Sequence, residues 1–331
     1  MKLRMAIVGC GEIAGYVAFL ARFVPRLRIT ACCDIDPDRA IQFARRHRIP
    51  AVYSEYDALL DRELLDAVYL AVPHDLHLPM TLKAAEKGKA VLLEKPLARN
   101  TAEGQELIRR VSANKVGVNY QYRYDSAAYA LARAVQKGEL GEIYSIVVQV
   151  PWHRERHYFE EASWHRSVER SGGGTLLTQA SHFLDWAFWA LRDKPQSAMG
   201  YTASFAFAVE VETLAHGVVQ TQKGTLISIV SSMVCAKEES VSIRVDGQAG
   251  SAIYREKPLP TLEFQGVKVK AEKPPLRGFH ALQRSLAAFV AWILDDRPYL
   301  IPAAEALPAL AAVEAIYCSA QTGKRESTIY R

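Results

Sequence analysis

The sequence predicts an α/β protein, with an N-terminal doubly wound parallel sheet followed by an α+β region that holds an open, mostly antiparallel sheet. Up to about residue 120, short apolar runs alternate with helix-like segments, which is typical of parallel strands buried on both faces. From about residue 143, apolar and polar residues alternate, which is typical of a sheet with one covered face. We expect domains at 1–122 and 123–300, and a C-terminal helix at 301–331 that packs back on the first domain.

The first strand ends in a glycine-rich turn. Met5–Val8 leads into Gly9-x-Gly11-x-x-Ala14, and apolar residues follow at helical spacing (Ile13, Tyr16, Val17, Leu20 and Val24). Gly9 allows a tight turn off the strand, Gly11 lets the main chain approach a pyrophosphate at the helix N-terminus, and Ala14 permits close helix–strand packing. Strand, turn and helix together predict a dinucleotide-binding unit.

The second strand, Leu27–Cys33, ends in Asp34, 25 positions after Gly9. An acidic residue at about this offset accepts hydrogen bonds from the ribose hydroxyls of a dinucleotide. Its charge would also repel a 2′-phosphate, so we expect NAD as the cofactor, with NADP less favoured.

The remaining segments complete the two sheets. In the first domain we expect a helix at 37–47, a strand near Val52, strands within 66–73, 90–94 and 116–120, a helix ending at Gly88, and a helix with a capping box at Asn100 and Glu103. Later strands are expected at Tyr144–Val150, Ala206–Val211, Thr225–Val230 and Ser240–Val245. We expect two late helices to pack on the first domain, at Phe279–Leu294 and Ala303–Ser319.

Composition and charge exclude several classes of protein. The chain has 331 residues, of which 50% are hydrophobic, and no apolar run approaches the roughly 18 residues of a membrane span. The net charge is +5, but the densest basic run, Arg45–Arg48, closes a predicted helix, where cations complement the helix dipole. The five cysteines favour small core residues over disulfides or zinc ligands. We therefore expect a cytoplasmic protein with no membrane or nucleic-acid partner.

Lys95 lies in the tripeptide Glu94-Lys95-Pro96, at the C-terminal end of a predicted parallel strand. Ligands of open α/β sheets bind at such strand ends, so we expect a functional role for this lysine. The same tripeptide occurs at 256–258 and 272–274, but it lies there in proline-rich connections, where we expect solvated loops.

A helix predicted after Gly172–Gly174 carries a second candidate. At 100° per residue, four side chains share the face opposite an apolar one: Thr178, His182, Asp185 and Trp189. A histidine one turn from a carboxylate can be oriented as a general base. The alternative is a core histidine whose hydrogen bonds Asp185 satisfies.

The segment 151–166 is dense in aromatic, histidine and arginine residues. Aromatic faces suit sugar rings and guanidinium groups suit phosphate or carboxylate, so we expect sugar contacts from Trp152, Arg154, Tyr158 and Trp164. His153 and His157 have the i, i+4 spacing of zinc ligands, but the neighbouring arginines and the lack of a cysteine favour no metal.

Taken in order, these motifs resemble the glucose-fructose oxidoreductase / inositol dehydrogenase (Gfo/Idh/MocA) family over nearly the whole chain. The matching positions are the Gly9–Gly11 turn, Asp34, Val72-Pro73-x-x-x-His77, Glu94-Lys95-Pro96, Asn119–Arg123, and Gly172–Gly174 with His182-x-x-Asp185. The resemblance implies a Rossmann domain plus an open-sheet domain, and NAD(P) chemistry on a sugar or polyol hydroxyl. It also implies a cis peptide before Pro96 and a homodimer or homotetramer formed through the open sheet.

The resemblance further implies roles for individual residues. The catalytic residues would be Lys95, His182, Asp185 and Thr178. The cofactor would contact Gly9, Gly11, Glu12, Ile13, Ala14, Asp34, Val72, Pro73, His74, His77, Glu94 and Lys95. The sugar would contact Lys95, Gln121, Arg123, Trp152, Arg154, Tyr158, Trp164, Thr178 and His182.

Many family members have an aspartate four residues before the histidine, where this chain has Thr178. With Trp152, Arg154 and Tyr158, this pattern resembles the branch that acts on pyranosides or nucleotide sugars, often at C3. We therefore expect an NAD-dependent sugar dehydrogenase. Three alternatives stay open: a glycoside-cleaving enzyme that recycles NAD, a simple polyol or inositol dehydrogenase, and a non-enzymatic dinucleotide-sensing regulator.

Overall fold

The computed structural model describes residues 1–328, which divide into two compact units. The first unit comprises Met1–Leu97, Ala102–Gln121 and Leu276–Glu305. The second comprises Ala98–Thr101, Tyr122–Pro275 and the chain from Ala306 onward. The expected domain boundaries therefore need correction, because residues 276–300 belong to the first unit and the chain after residue 305 belongs to the second.

Six parallel strands form the sheet of the first unit: β1 (Leu3–Val8), β2 (Leu27–Cys33), β3 (Ala51–Tyr53), β4 (Ala67–Leu70), β5 (Ala90–Leu93) and β6 (Val116–Val118). Their spatial order is β3-β2-β1-β4-β5-β6, which is the order of a dinucleotide-binding Rossmann sheet. The helices between them are α1 (Glu12–Ala21), α2 (Pro37–His47), α3 (Tyr56–Arg62), α4 (His77–Glu86) and α5 (Thr101–Arg110). The predicted doubly wound parallel sheet is confirmed.

Local sequence explains why α2 begins where it was predicted. The Asp36 side chain accepts hydrogen bonds from the main-chain N–H groups of Asp38 and Arg39, which satisfies two of the free donors of the first turn. Pro37 fits the first position because it has no N–H to satisfy. Basic residues fill the last turn, where they complement the helix dipole.

Eight strands form the sheet of the second unit: β7 (Ile143–Pro151), β8 (Pro195–Ala203), β9 (Leu214–Thr221), β10 (Leu226–Ser232), β11 (Ser242–Gly247), β12 (Ser251–Arg255), β13 (Thr261–Gln265) and β14 (Glu326–Ser327). Their order is β13-β12-β11-β7-β10-β9-β8-β14. Neighbouring strands are antiparallel except β7 and β10, which run parallel. The predicted open, mostly antiparallel sheet is confirmed.

The strand predicted at Ala206–Val211 is wrong. This segment is irregular, and Ala206 has a left-handed φ of +66°. Its alternating apolar side chains, Phe207, Val209 and Val211, pack in a small separate core with Phe159. The alternation of apolar and other residues therefore arises because one side of an irregular loop is buried.

In the second unit, α6 (Ser126–Gln136) precedes β7, whereas α7 (Arg156–Glu161), α8 (Val168–Ser171) and α9 (Ser181–Leu191) lie between β7 and β8. The two late helices, α10 (Ala281–Asp295) and α11 (Leu307–Thr322), lie in different units. Helix α10 packs against α1 and β1 in the first unit, as predicted. Helix α11 belongs to the second unit and packs there against β8 and α9, and its packing on the first domain stays a prediction.

Contrary to expectation, one stretch of residues 1–328, Ala303–Thr322, is long and apolar enough to cross a membrane by length and composition. It contains α11, whose Leu310, Val313 and Ile316 are buried inside the second unit. The apolar character of this helix is that of a core helix facing a sheet.

Candidate active site

The glycine-rich turn after β1 has the geometry that a pyrophosphate requires. Gly9 has a φ of +84°, and a Cβ atom there would lie 2.1 Å from the Ala71 carbonyl oxygen. Gly11 is the N-cap of α1 and supplies no side-chain hydrogen bond, so the first N–H groups of the helix are not blocked by a side chain. A Cβ on Gly11 would meet no atom within 4 Å, which leaves open space before the helix. The turn therefore fits a phosphate-bearing cofactor.

Asp34 lies at the end of β2, buried with 8% exposure. One carboxylate oxygen accepts a hydrogen bond from the N–H of Cys10 at 2.8 Å, and the other accepts one from the N–H of Asp36 at 3.0 Å. A carboxylate has about four acceptor positions, so these two bonds fix it beside the glycine turn and leave capacity for ribose hydroxyls. The following side chain, Ile35, is 92% exposed.

Glu94, at the end of β5, is buried in a hydrogen-bond network. One of its carboxylate oxygens accepts hydrogen bonds from the Tyr69 hydroxyl and from Asn119 Nδ2, the latter at 2.8 Å. The Ser285 hydroxyl on α10 donates to Asn119 Oδ1 at 2.9 Å. Burial and the neighbouring Glu94 carboxylate raise the pKa of Tyr69 well above its usual value. The network fixes the strand end next to Lys95, and the Lys95–Pro96 peptide is cis, as the resemblance implied.

His77 was expected to contact the cofactor, but its side chain is fully buried. Its Nδ1 lies 2.8 Å from the Pro96 carbonyl oxygen and its Nε2 lies 3.1 Å from that of Val72. Burial lowers the pKa of His77 to about 4, so one of these contacts is an N–H···O bond of a neutral ring. The histidine ties the loops after β4 and β5 together. Its neighbour His74 is also buried, with a ring 5.2 Å away.

In the second unit, the glycine run leads into a helix whose first turn is held by Glu212. This buried carboxylate accepts hydrogen bonds from the N–H groups of Gly174 and Leu176, at 2.7 and 2.9 Å, and from the Tyr317 hydroxyl at 2.8 Å. Burial raises the pKa of Glu212, while these bonds oppose the shift. A Cβ on Gly174 would lie 1.9 Å from the Glu212 carbonyl oxygen, and one on Gly173 would lie 2.2 Å from the Tyr317 hydroxyl. The glycines therefore permit this close packing.

The helix that carries His182 is not a regular α-helix throughout. Leu176–Ala180 forms a π-helical turn before α9, so rotation by 100° per residue does not describe it. The Thr178 hydroxyl donates to the Gly174 carbonyl oxygen at 2.7 Å, within its own turn. Thr178 and His182 are both buried, and the predicted polar face is an interior one.

Asp185 is paired with Arg123. Both carboxylate oxygens accept hydrogen bonds from the guanidinium, at 2.8 and 2.7 Å, and the two side chains are at most 1% exposed. The guanidinium also lies over the Trp189 ring at 5.6 Å. This geometry places Asp185 and Arg123 in one buried ion pair. The orientation of His182 by Asp185 and the sugar contact of Arg123 stay predictions.

Aromatic side chains surround His182. The Tyr122 and Trp152 rings meet its imidazole edge-on, with centroids 5.3 and 6.4 Å away. The Tyr122 hydroxyl and, at 3.4 Å, the Trp152 indole N–H both donate to the carboxylate of Glu256. The prediction that 256–258 is only a solvated loop is therefore wrong for Glu256. Local sequence patterns could not predict this contact, because Tyr122 and Glu256 are 134 positions apart.

Three of the four sugar-contact residues expected in segment 151–166, Trp152, Arg154 and Tyr158, form one cluster with His182. The Arg154 guanidinium lies over the rings of Trp152, at 5.9 Å, and Tyr158, at 5.3 Å. Tyr158 stacks on His165, which contacts Trp164 with a centroid distance of 3.7 Å. The fourth, Trp164, thus joins the cluster through His165.

The two histidines with zinc-like spacing have separate partners. His153 Nδ1 lies 2.6 Å from the Cys235 carbonyl oxygen, and His157 Nδ1 lies 3.3 Å from Glu155. In the described part of the chain, residues 1–328, no group of three or more metal-ligating side chains was found.

Comparison with known proteins identifies the family. A family model described as "Oxidoreductase family, NAD-binding Rossmann fold" matches residues 3–122, and one described as "GFO/IDH/MocA C-terminal domain" matches residues 129–253. The chain belongs to the Gfo/Idh/MocA family. The predicted family and the NAD cofactor are thereby confirmed.

Three similar proteins illustrate the relation of this Gfo/Idh/MocA chain to others. "Oxidoreductase P35" from Formosa agariphila is 29% identical over 56% of this chain, which spans only 59% of that protein. A "Putative UDP-kanosamine synthase oxidoreductase subunit" from Amycolatopsis mediterranei is 28% identical over 99% of both chains. The WlbA dehydrogenase from Bordetella pertussis, solved with NADH and UDP-GlcNAcA, is 25% identical over 100% of both chains, with a TM-score of 0.88.

We expect His77 to make stability depend on pH. The lowered pKa, about 4 against the usual 6.5, means that the unfolded chain binds a proton in this interval and the folded chain does not. The contribution of the neutral His77 to the free energy of unfolding is therefore complete above pH 6.5. It falls by roughly 3 kcal/mol as the pH is lowered toward 4. Thermal unfolding of wild type and His77→Gln between pH 7 and 4 should show a shallower slope for the variant. His157→Gln, whose side chain is 61% exposed, is the control. Equal slopes for wild type and His77→Gln would contradict a buried neutral imidazole.

We expect Asp185→Asn to destabilise the protein by about 3–5 kcal/mol, because it removes the carboxylate that forms a two-point ion pair with the buried Arg123 guanidinium. The matched control is Asp246→Asn, which breaks an exposed Arg244–Asp246 pair of the same type and should cost about 1 kcal/mol or less. Urea unfolding measures both. Equal losses of unfolding free energy in the two variants would show that Asp185 does not stabilise the protein through the buried ion pair.

Proposed function

We propose that this chain is an NAD-dependent dehydrogenase that transfers a hydride between nicotinamide and a ring hydroxyl of a pyranoside or nucleotide sugar, with C3 as the first position to test. The observation that carries the proposal is the surroundings of His182, whose imidazole is flanked by the Tyr122 and Trp152 rings with Arg154 beyond. Aromatic faces beside an acid/base histidine suit a sugar ring. The relatives named for UDP-kanosamine synthesis and solved with UDP-GlcNAcA support the same substrate class.

In the proposed reaction, the Lys95 ammonium donates a hydrogen bond to the reacting hydroxyl and stabilises the alkoxide that forms. His182 accepts the hydroxyl proton as general base. NAD, when bound, supplies the hydride acceptor. The products are a ketone on the sugar ring and the reduced cofactor, with the proton left on His182.

The remaining residues have supporting roles in this proposal. Trp152, Tyr158 and Trp164 offer faces to the sugar, and Arg154 offers a cation to its substituent. The Arg123–Asp185 pair fixes α9, and Thr178 stabilises the π-helical turn before it.

The proposal is tested by following absorbance of the reduced cofactor while the protein is offered NAD with UDP-glucose, methyl β-D-glucoside or free myo-inositol. We expect reduction with the first two substrates to exceed that with myo-inositol. Faster turnover of myo-inositol would contradict the proposal and indicate a polyol dehydrogenase. Release of methanol from the glucoside without accumulation of reduced cofactor would identify the NAD-recycling glycoside-cleaving alternative.

We expect Lys95→Ala and His182→Ala each to lower kcat by roughly 100-fold or more, the scale of a lost oxyanion donor or positioned base. Binding of NADH, measured by its fluorescence, should change little. Lys273→Ala is the control, because Lys273 occupies the same tripeptide in an exposed connection. If Lys273→Ala is as inactive as Lys95→Ala, the assignment of the catalytic lysine to the tripeptide at 94–96 is refuted.

We also propose that the protein is a cytoplasmic homodimer or homotetramer that assembles through the uncovered face of the second sheet. Met199, Tyr201, Val218 and Leu226 share this face with 43–70% exposure, and Met199 lies opposite Val218 in the ladder. Contiguous exposed apolar side chains of this size are typical of interaction surfaces.

We expect Val218→Arg to convert the assembly to monomers, because it places a charge in the apolar face that a second copy would bury. Sedimentation velocity of wild type, Val218→Arg and the control Leu64→Arg, which changes an exposed leucine in the first unit, measures this. A monomeric wild-type protein would contradict the assembly.

A further inference from the structure

We propose that Arg154 and Lys257 form a two-cation subsite for an anionic group on the sugar substrate, and that Glu238 occupies this subsite until the anion displaces it. The inference rests on the proposed sugar substrate and names a chemical property of it, a phosphate or a carboxylate. It also gives a role to Lys257, which lies in a tripeptide predicted to be a solvated loop.

Glu238 is shared by two cations that come from different connections of the second unit. Lys257, after β12, is ion-paired with one oxygen of its carboxylate. Arg154, after β7, has Nη1 at 3.7 Å from the other oxygen, beyond hydrogen-bond distance. These three side chains, Arg154, Lys257 and Glu238, together carry a net charge of +1.

Arg154 is held in place without Glu238. Its Nη1 donates to the His153 carbonyl oxygen at 2.9 Å, and its guanidinium lies over the rings of Trp152 and Tyr158. The main-chain N–H of Arg154 donates to the Met233 carbonyl oxygen at 3.0 Å. A cation already ordered by aromatic faces and main-chain groups loses little further freedom when it binds an anion.

Lys257 is anchored in the same way at its main chain, where its N–H donates to the Ser240 hydroxyl at 2.9 Å. The side chains of Lys257 and Glu238 are 45% and 39% exposed, whereas the Arg154 side chain is 27% exposed. Ion pairs this accessible are individually weak, so Glu238 can turn into solvent at small cost. The subsite is therefore able to exchange an internal carboxylate for one from a ligand.

The position of the subsite suits a substituent of the sugar. Trp152 contacts both the His182 ring, at 6.4 Å, and the Arg154 guanidinium, at 5.9 Å. A ligand whose reacting hydroxyl meets His182 would cover the indole with its ring and extend a substituent toward Arg154. A guanidinium fork beside an ammonium favours a phosphate or carboxylate, since a neutral hydroxyl cannot replace a carboxylate between two cations.

The test measures binding by calorimetry with three ligands: UDP-glucose, methyl β-D-glucuronide and the neutral methyl β-D-glucoside. We expect Glu238→Gln to tighten binding of the anionic ligand by about threefold to tenfold, and Lys257→Ala to weaken it by about tenfold. Binding of the neutral glucoside should change less than twofold in both variants. Glu263→Gln and Lys273→Ala, at exposed positions of the second unit and of its proline-rich connection, are matched controls.

The two anionic ligands distinguish the source of the charge. A response to Glu238→Gln with UDP-glucose alone identifies a phosphate, and a response with the glucuronide alone identifies a ring carboxylate. If neither ligand responds, or the neutral glucoside responds equally, the subsite is refuted even where sugar oxidation is observed. If the anionic ligands respond but no sugar reduces NAD, the subsite stands and the proposed dehydrogenase reaction fails.

Discussion

A buried carboxylate costs several kcal/mol unless donors meet its oxygens, and three of the carboxylates that this chain buries each fix a segment next to a proposed catalytic side chain. Glu94 precedes Lys95 and is held by Tyr69 and Asn119. Glu212 binds the first amides of the segment that leads to His182. Asp185 lies one turn beyond His182 and pairs with Arg123.

The glycine run before His182 follows from the same constraint. Glu212 satisfies the helix amides only if the main chain comes close to it, and the glycines permit that approach. The charge of Glu212 also complements the positive end of the helix, which is the favourable position for an anion. A substitution in the glycine run would therefore disturb an electrostatic contact as well as packing.

Local patterns predicted the parts of the fold that local chemistry determines. The Asp36 cap and Pro37 fix the start of α2, and the Gly9 turn has the positive φ that its position requires. The pairing of Tyr122 with Glu256 could not be predicted in this way, because the partners come together only when the second sheet forms. The 100° spacing used for the face around His182 does not hold throughout, because Leu176–Ala180 forms a π-helical turn, and the surrounding segment is buried.

The first unit is assembled from three separate stretches of the chain, and this has a consequence for its synthesis. The N–H of Val118 in β6 bonds to the carbonyl of Ile301, and Gly117 faces Pro302. Helix α10 also supplies Ser285 to the network around Asn119. A nascent chain released from the ribosome up to residue 122 would therefore hold all six strands of the cofactor sheet yet lack the pieces that close one edge. The cofactor-binding unit therefore lacks part of its native structure during translation until the chain through residue 305 has emerged, although its sequence signature lies in the first 40 residues.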